Sequence, residues 1–369
     1  MLSPRVFYTW SQTAAAGVVD PGFGRVVTWD VPLLEGYGFE FVPNLAERPG
    51  TERFLGLRNP DLVPAIERWG ADALLVLGWN SYSHLAALRH FKERIPVFFR
   101  GDSTLLDRGP GWRTLARRLF LSWVYRHIDV ALAVGSNNHD YYRWCGVPDD
   151  RIAFAPHAID TGRFSDPAGI HERRASEWRR QLGIPLDSRV VLFAGKLQPK
   201  KDPLLLLDAF IRCGAPGHLV FAGNGVLEDE LRTRCQGRGD VHLLPFQNQQ
   251  AMPAVYRLGD VFVLPSRGPG ETWGLAINEA MASGRPVIAS TQAGGTRDLL
   301  TDNLNGWAFK AGDRGHLEGL LRRALTCEPQ ILGAMREAAR EVASRWCIAE
   351  TARGIESAIT TFARSPRPA

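Results

Sequence analysis

Twelve short, predominantly apolar runs, each closed by turn residues, constrain this chain more than any other feature. The first six are RVFYTW, FEFVP, ALLVLGW, IPVFFRG, VALAVGS and IAFAP; after a gap come RVVLFAGKL, HLVFAGNG, VHLLPF, VFVLPS, RPVIAS and GWAFK. A strand with one wet face alternates apolar and polar residues, whereas a strand covered on both faces reads as a continuous apolar run. These runs therefore predict parallel sheets held between helices, and helix-like segments such as NPDLVPAIERWG fall between them. The predicted fold class is α/β, with doubly wound, Rossmann-like sheets.

The gap between Asp160 and Asp187, DTGRFSDPAGIHERRASEWRRQLGIPLD, is rich in charge, glycine and proline and holds no strand-like run. A chain of 369 residues that is 45% hydrophobic has enough apolar material for two cores. The expected division is a first domain over 1–165 and a second over 166–346. A closing helix over 347–365, with Ile355, Ile359 and Phe362 at helical spacing, is expected to return to the first domain. In two tandem doubly wound domains facing across a cleft, ligands sit beyond the carboxyl ends of the strands, so functional residues should cluster just after the apolar runs.

Composition narrows the function classes. The net charge of +5 is spread along the chain, 20 Lys and Arg against 19 Asp and Glu in residues 1–175 and 24 against 20 thereafter, without the basic stripe of a nucleic-acid binder. No nucleic-acid partner is expected. Five scattered cysteines, none in a Cys-x-x-Cys pair, suggest neither a disulfide framework nor a zinc site, and a reducing, cytoplasmic compartment is expected. No window reaches the roughly 18 uninterrupted apolar residues of a membrane span, and the N-terminus lacks a signal-peptide pattern. His84, His127 and His157 fit no metal-ligand spacing and no Asp-x-Asp follows a strand, so no metal and no cofactor are expected.

Four stretches stand just after apolar runs. In FAGKLQPKKDPLLLLDAF, Lys196 follows the strand directly and Lys201 precedes Asp202 and Pro203, which read as the N-cap and first position of a helix. Two ammonium groups at a helix N-terminus suit a diphosphate; the alternative is a pair of solvated loop lysines. In FAGNGVLEDEL, Gly223-Asn224-Gly225 reads first as a tight strand-to-helix turn and second as a close approach to a ligand. In VHLLPF, Phe246 either stacks on a base or belongs to the core. In VFVLPSRGPGETWGLAINEAMASG, Glu271 precedes a helix starting near Thr272 to Leu275, Glu279 sits about one and a half turns in, and Gly284 stops the helix. The first-turn amides are open to an anion.

The combination GKLQPKKD, AGNG, LPS, GETWGLAINEAMASGRPVIAS and AGGTRDLL…NGWAF resembles the retaining family-4 glycosyltransferases of the GT-B fold, over Arg189 to Asp313. Its most specific part is the Glu-x7-Glu motif with the Ala-Met-Ala-x-Gly-x-Pro-Val-Ile-Ala-Ser that follows. APHAIDTGRF is similar to the family's link into the second domain. The resemblance implies transfer of a sugar from a nucleotide diphosphate sugar, UDP or GDP first, to an acceptor hydroxyl of a sugar, glycolipid or small molecule, with retained configuration and no metal. It implies that Lys196, standing where the family usually has Arg, and Lys201 bind the donor diphosphate. Glu271 would meet the sugar hydroxyls, Glu279 the ribose hydroxyls, and Gly274 and Leu275 would offer amides to the phosphates. Gly195, Asn224, Phe246, Gly270, Thr272 and Trp273 complete the expected donor site. Lysine at 196 keeps the charge and loses the bidentate fork, and Asp298 in GGTRD stands where the family usually has Glu. Reactions sharing the diphosphate pocket, a sugar phosphorylase or a nucleotide-sugar epimerase, and a non-catalytic sugar-nucleotide-binding subunit, are the alternatives.

The first domain is then expected to hold the acceptor. Its glycine loop VVDPGFGR, with Gly22 and Gly24, either approaches the donor phosphates or only turns the chain. RGDST replaces the family's histidine region, leaving Arg100 and Asp102 either to position the acceptor or to pair with each other. The stretch GWRTLARRLFLSWVYRHID mixes arginines with apolar residues at helical spacing. It reads as a core helix with a solvated basic face, the alternative being a helix on a membrane surface, which would put the protein at the membrane's inner face.

Overall fold

A computed structural model of the chain describes residues 2–10, 17–20, 22, 23, 25–109 and 111–364. Every one of the twelve apolar runs forms a strand. In chain order the elements up to the middle of the chain are β1 (Arg5–Tyr8), β2 (Val18–Asp20), β3 (Arg25–Val27), β4 (Gly38–Phe41), α1 (Leu62–Trp69), β5 (Leu74–Leu77), α2 (Tyr82–Phe91), β6 (Val97–Arg100), α3 (Trp112–Tyr125), β7 (Val130–Ala133), α4 (Ser136–Trp144) and β8 (Ile152–Phe154). Then follow α5 (Thr161–Phe164), α6 (Ile170–Gln181), β9 (Val190–Ala194), α7 (Pro203–Cys213), β10 (His218–Ala222), α8 (Glu228–Arg234), β11 (Val241–Leu244), α9 (Met252–Leu258), β12 (Val261–Leu264), α10 (Leu275–Ala282), β13 (Val287–Ser290), α11 (Thr296–Leu299), β14 (Gly306–Phe309), α12 (Arg314–Leu325), α13 (Pro329–Ser344) and α14 (Ile348–Arg364).

The chain forms two compact units, the first of Met1–Val18, Pro32–Pro156 and Ala349–Ala369, the second of Val19–Val31 and His157–Ile348. In the first unit β5, β6, β7 and β8 lie side by side in that order, all parallel, and β1 pairs in parallel with β4. β6 is buried almost throughout and β7 throughout, as strands covered on both faces must be. One face carries Val76, Phe99, Leu121, Val124 and Tyr142. The other holds Phe98, Val130 and Leu132 against Ile355, Ala358 and Phe362 of α14. Gly354 allows α14 this approach, because a Cβ there would stand 2.3 Å from the Phe154 carbonyl oxygen.

The second unit is built on one six-stranded parallel sheet in the order β11-β10-β9-β12-β13-β14. Three strands run outward in one direction and the next three in the other, which is the doubly wound order with its switch between β9 and β12. Phe193, Leu207, Phe221, Val263, Ile288 and Leu321 fill its core.

Three expectations need correction. The units divide at Pro156, not at 165. α5 belongs to the second unit because Phe164 is buried beside Tyr256, ring centroids 5.9 Å apart, and the Arg257 guanidinium donates to the Phe164 carbonyl. Residues 19–31 also group with the second unit, where Asn248 Nδ2 donates to Thr28 O at 2.6 Å. Third, α3 is a core helix only in its last turns: Leu121, Val124 and Tyr125 are buried, whereas Trp112, Leu115, Leu119 and Phe120 are exposed. Among the described residues, no helix is long and apolar enough to cross a membrane.

Candidate functional site

The switch in the second sheet makes a crevice, because α7 and α10 leave β9 and β12 toward opposite faces and their loops part at the strand ends. The loop after β9 carries Gly195, Lys196 and, through a short 3-10 turn over Pro199–Lys201, the second lysine. The loop after β12 carries Ser266 and Glu271 and ends at Gly274, whose left-handed φ of 90° starts α10. The Arg267 amide donates to the Lys200 carbonyl at 2.9 Å and the Arg267 guanidinium pairs with Asp202 at 3.2 Å, so the two loops are fastened to each other.

Lys201 Nζ lies 2.6 Å from Glu271 Oε2, and the Ser266 hydroxyl donates to the same oxygen at 3.1 Å. Glu271 is buried, so its charge is held by a cation and a hydroxyl together. Eight positions on, Glu279 is half-buried and accepts from the Tyr256 hydroxyl at 2.6 Å. Burial raises the Glu279 pKa above the usual carboxylate range, against the opposing pull of the Tyr256 hydroxyl and the charges of Arg163 and Lys201. Burial and the Glu279 charge push the Tyr256 phenol well up.

Residues 175–343 match the family described as glycosyl transferases group 1. The matched segment contains both lysines and both glutamates. The chain is 33% identical to a D-inositol 3-phosphate glycosyltransferase of Xylanimonas cellulosilytica over 174 residues, 45% of this chain and 41% of that protein. It is 31% identical to the protein of the same name from Mycolicibacterium smegmatis, over 52% of this chain and 45% of the relative. The chain thus matches under half the length of these relatives. Among solved structures, Anabaena Alr3699/HepE in complex with UDP superimposes with a TM-score of 0.70 at 21% identity, over 88% of this chain and 86% of that one. Sucrose-phosphate synthase of Thermosynechococcus elongatus gives 0.69 at 19% identity, over 98% and 89%. These likenesses show the fold, that of the GT-B glycosyltransferases with two Rossmann-like domains.

Around these lysines and glutamates, glycines set the spacing. A Cβ on Gly22 would stand 2.4 Å from Gln198 Nε2 and 2.6 Å from Lys196 Cδ, so Gly22 lies directly against the Lys196 side chain. Phe23 next to it lies under Lys196 Nζ, 4.9 Å from the ring centroid, and meets Phe246 edge to face at 4.7 Å. Gly24 lies outside the described residues. Gly223 and Gly225 serve the packing of loops: a Cβ would stand 2.0 Å from Gly195 O and 2.4 Å from Leu197 O respectively. Gly294 lets the AGG turn press on the loop after β12, its added Cβ 1.8 Å from Thr272 O.

Three expected donor residues have their side chains committed within the protein. Asn224 donates to Glu228 and accepts from the Phe246 amide, both at 2.6 Å. Trp273 is buried, donates to Asn278 Oδ1 at 2.8 Å and packs on Trp346 at 4.8 Å and His157 at 5.8 Å. Phe246 is engaged with Phe23 as above. Gly270, with φ 83°, has open space beside it, and Thr272 and Leu275 are half-buried in the loop and first turn of α10. Ser266, Tyr256 and Gln198 were missed; Ser266 alone had a signal, its place at the end of VFVLPS.

Arg100 and Asp102 stand in the first unit, at the end of β6. Arg100 spends its guanidinium on the Pro156 carbonyl at 2.9 Å, and burial lowers its pKa, while Asp102 is exposed. The polar group built at these strand ends is instead Thr9, Asn59, Ser83 and His84. His84 Nδ1 lies 3.1 Å from the Gly78 carbonyl, which can only accept, so Nε2 is left to accept from the Thr9 hydroxyl at 3.0 Å. Burial lowers the His84 pKa, in keeping with a neutral ring. Among the described residues, no group of three or more His, Cys, Asp or Glu is placed to hold a metal ion.

Proposed function

We propose that the chain is a glycosyltransferase that takes a sugar from a nucleoside diphosphate sugar, UDP first, and passes it to an acceptor hydroxyl with retained anomeric configuration. The observation that carries this reading is the Lys201–Glu271 pair at the β9/β12 switch point, with Lys196 on the loop after β9 and the N-terminus of α10 ending the loop after β12. As the sugar bond breaks, negative charge grows on the diphosphate. Two ammonium groups and the first amides of α10 are preorganised to stabilise it, which is the effect that contributes most in transfers of this kind. Glu271, anchored on one oxygen, offers the other to sugar hydroxyls; Glu279, held by Tyr256, is the acceptor for the ribose. Glu271 is engaged by Lys201 and Ser266 and is not arranged as a covalent nucleophile, which supports attack from the face the diphosphate leaves, with a phosphate oxygen taking the acceptor proton.

The UDP complexes of Anabaena Alr3699/HepE, one of them with UDP-glucose, support a uridine donor within a shared fold. A thermal-shift series against UDP-, GDP-, ADP- and dTDP-sugars tests it, since a ligand at 100 times its Kd adds about 2.7 kcal/mol of stability. A UDP-sugar should raise the melting temperature most, with Lys201→Ala removing the rise. No response to any of the four would overturn the proposal. With lysines as the cations, turnover should be unchanged by EDTA, and the product anomer seen by NMR should match that of the donor.

A further inference from the structure

α3 is apolar on two opposite sides. One side carries Leu121, Val124 and Tyr125 into the core of the first unit. The other carries Trp112, Leu115, Leu119 and Phe120, exposed by 75%, 57%, 66% and 45%. At 100° per residue these four and Trp123 fall within one stripe, roughly opposite the buried residues. The stripe continues into the fold through Phe120, 5.8 Å from Trp123 and 5.4 Å from Trp79. Large apolar side chains gathered on one exposed face mark a surface that something covers.

Charge decides what covers it. Arg113 and Arg117 flank the stripe on one side and Arg118 on the other, all three exposed. From Arg108 to Ile128 the sequence contains five arginines and no Asp or Glu. Arg113 lies over the Trp112 ring at 5.6 Å, keeping its charge at the edge of the apolar stripe. A tryptophan and leucine face between arginines is the composition of a helix that lies in a headgroup layer, with the apolar side chains in the acyl boundary and the guanidinium groups among lipid phosphates.

We propose that the exposed face of α3 docks the protein on an anionic lipid bilayer, as a peripheral contact made by this helix and independent of the sugar-transfer reading. The test is co-sedimentation of the full chain with vesicles of phosphatidylcholine alone and of phosphatidylcholine mixed with phosphatidylglycerol. Binding is expected to the mixed vesicles, to weaken as salt rises, and to be near zero on the neutral ones. Arg→Gln at 113, 117 and 118 should each lower the partition constant by about five-fold. L115Q/L119Q should abolish binding while thermal melting and circular dichroism stay those of the parent, because neither side chain enters the core. No binding to the mixed vesicles, or binding that L115Q/L119Q leaves intact, overturns the proposal. So does a concentration-dependent dimer in place of vesicle binding that L115Q/L119Q disperses, since the face would then belong to a second copy.

Discussion

Lys201 Nζ and Glu271 Oε2, 2.6 Å apart and exposed by only 17% and 8%, join the loop after β9 to the loop after β12. Removing one partner leaves the other buried without compensation, which costs about 3 kcal/mol or more, whereas removing both charges costs far less. Lys201→Met should therefore lower the urea midpoint sharply, and K201M/E271Q should recover most of it. Turnover should stay down by about 100-fold or more in both, because the diphosphate has lost its cation. A double variant that regains activity along with stability would make the pair a purely structural clasp.

Glu279 supplies a pH dependence. Its folded-state pKa is raised above the ordinary 4.5, so the native state binds the proton more readily than the unfolded chain does. The sign follows: its contribution is fully present below 4.5 and is lost as pH rises through the folded value. Compared with the parent, Glu279→Gln should gain stability progressively as pH is raised from 4.5, and the two should converge in acid. Melting curves across pH 4 to 8 measure this. Donor affinity should fall in the same variant, with little change in the rate of transfer from bound donor.

Gly22 offers a way to move Lys196 without touching it. The three atoms nearest an added Cβ, Gln198 Nε2 and Lys196 Cδ and Nζ, all belong to flexible side chains that can turn aside. Gly22→Ala should leave stability within about 1 kcal/mol of the parent. It should weaken donor binding by about ten-fold, equivalent to about 1.4 kcal/mol. Calorimetric titration of the donor against the folded variant checks both. Unchanged affinity would show that the glycine loop does not set the lysine's position.

The twelve strands of the apolar runs were legible because a strand covered on both faces writes a continuous apolar run, and Val190–Ala194 or Val261–Leu264 can scarcely be read otherwise. β2 and β3 were not, since three-residue strands amid Gly and Pro carry no period. Lys201 and Glu271, which pair in the structure, were selected by their places after strands, but that rule selects loops and not side-chain directions. It therefore also selected Trp273, whose ring turns inward onto Trp346, a residue at the far end of the second unit's sequence. Tyr256 was invisible because its bond to Glu279 depends on how α9 packs on α10. α3 misled for a related reason: periodicity registers an apolar side but not whether anything lies against it.

Gly225 distinguishes packing from ligand contact at the AGNG turn. Its φ of 159° is accessible to glycine at no cost, and an added Cβ would stand 2.4 Å from the Leu197 carbonyl oxygen and 2.8 Å from the Leu197 nitrogen, backbone atoms that cannot rotate away. Gly225→Ala should lose about 3 kcal/mol through overpacking and backbone strain. Gly270, with φ 83° and open space beside it, sets the control: Gly270→Ala meets no atoms and should lose only about 1 kcal/mol, from its left-handed backbone. Urea unfolding ranks the two. Donor affinity of the folded fraction then separates the roles, since Gly225→Ala should bind as the parent does if the glycine serves only the passage of one loop over another. A loss of affinity beyond the loss of folded protein would return the turn to the donor site.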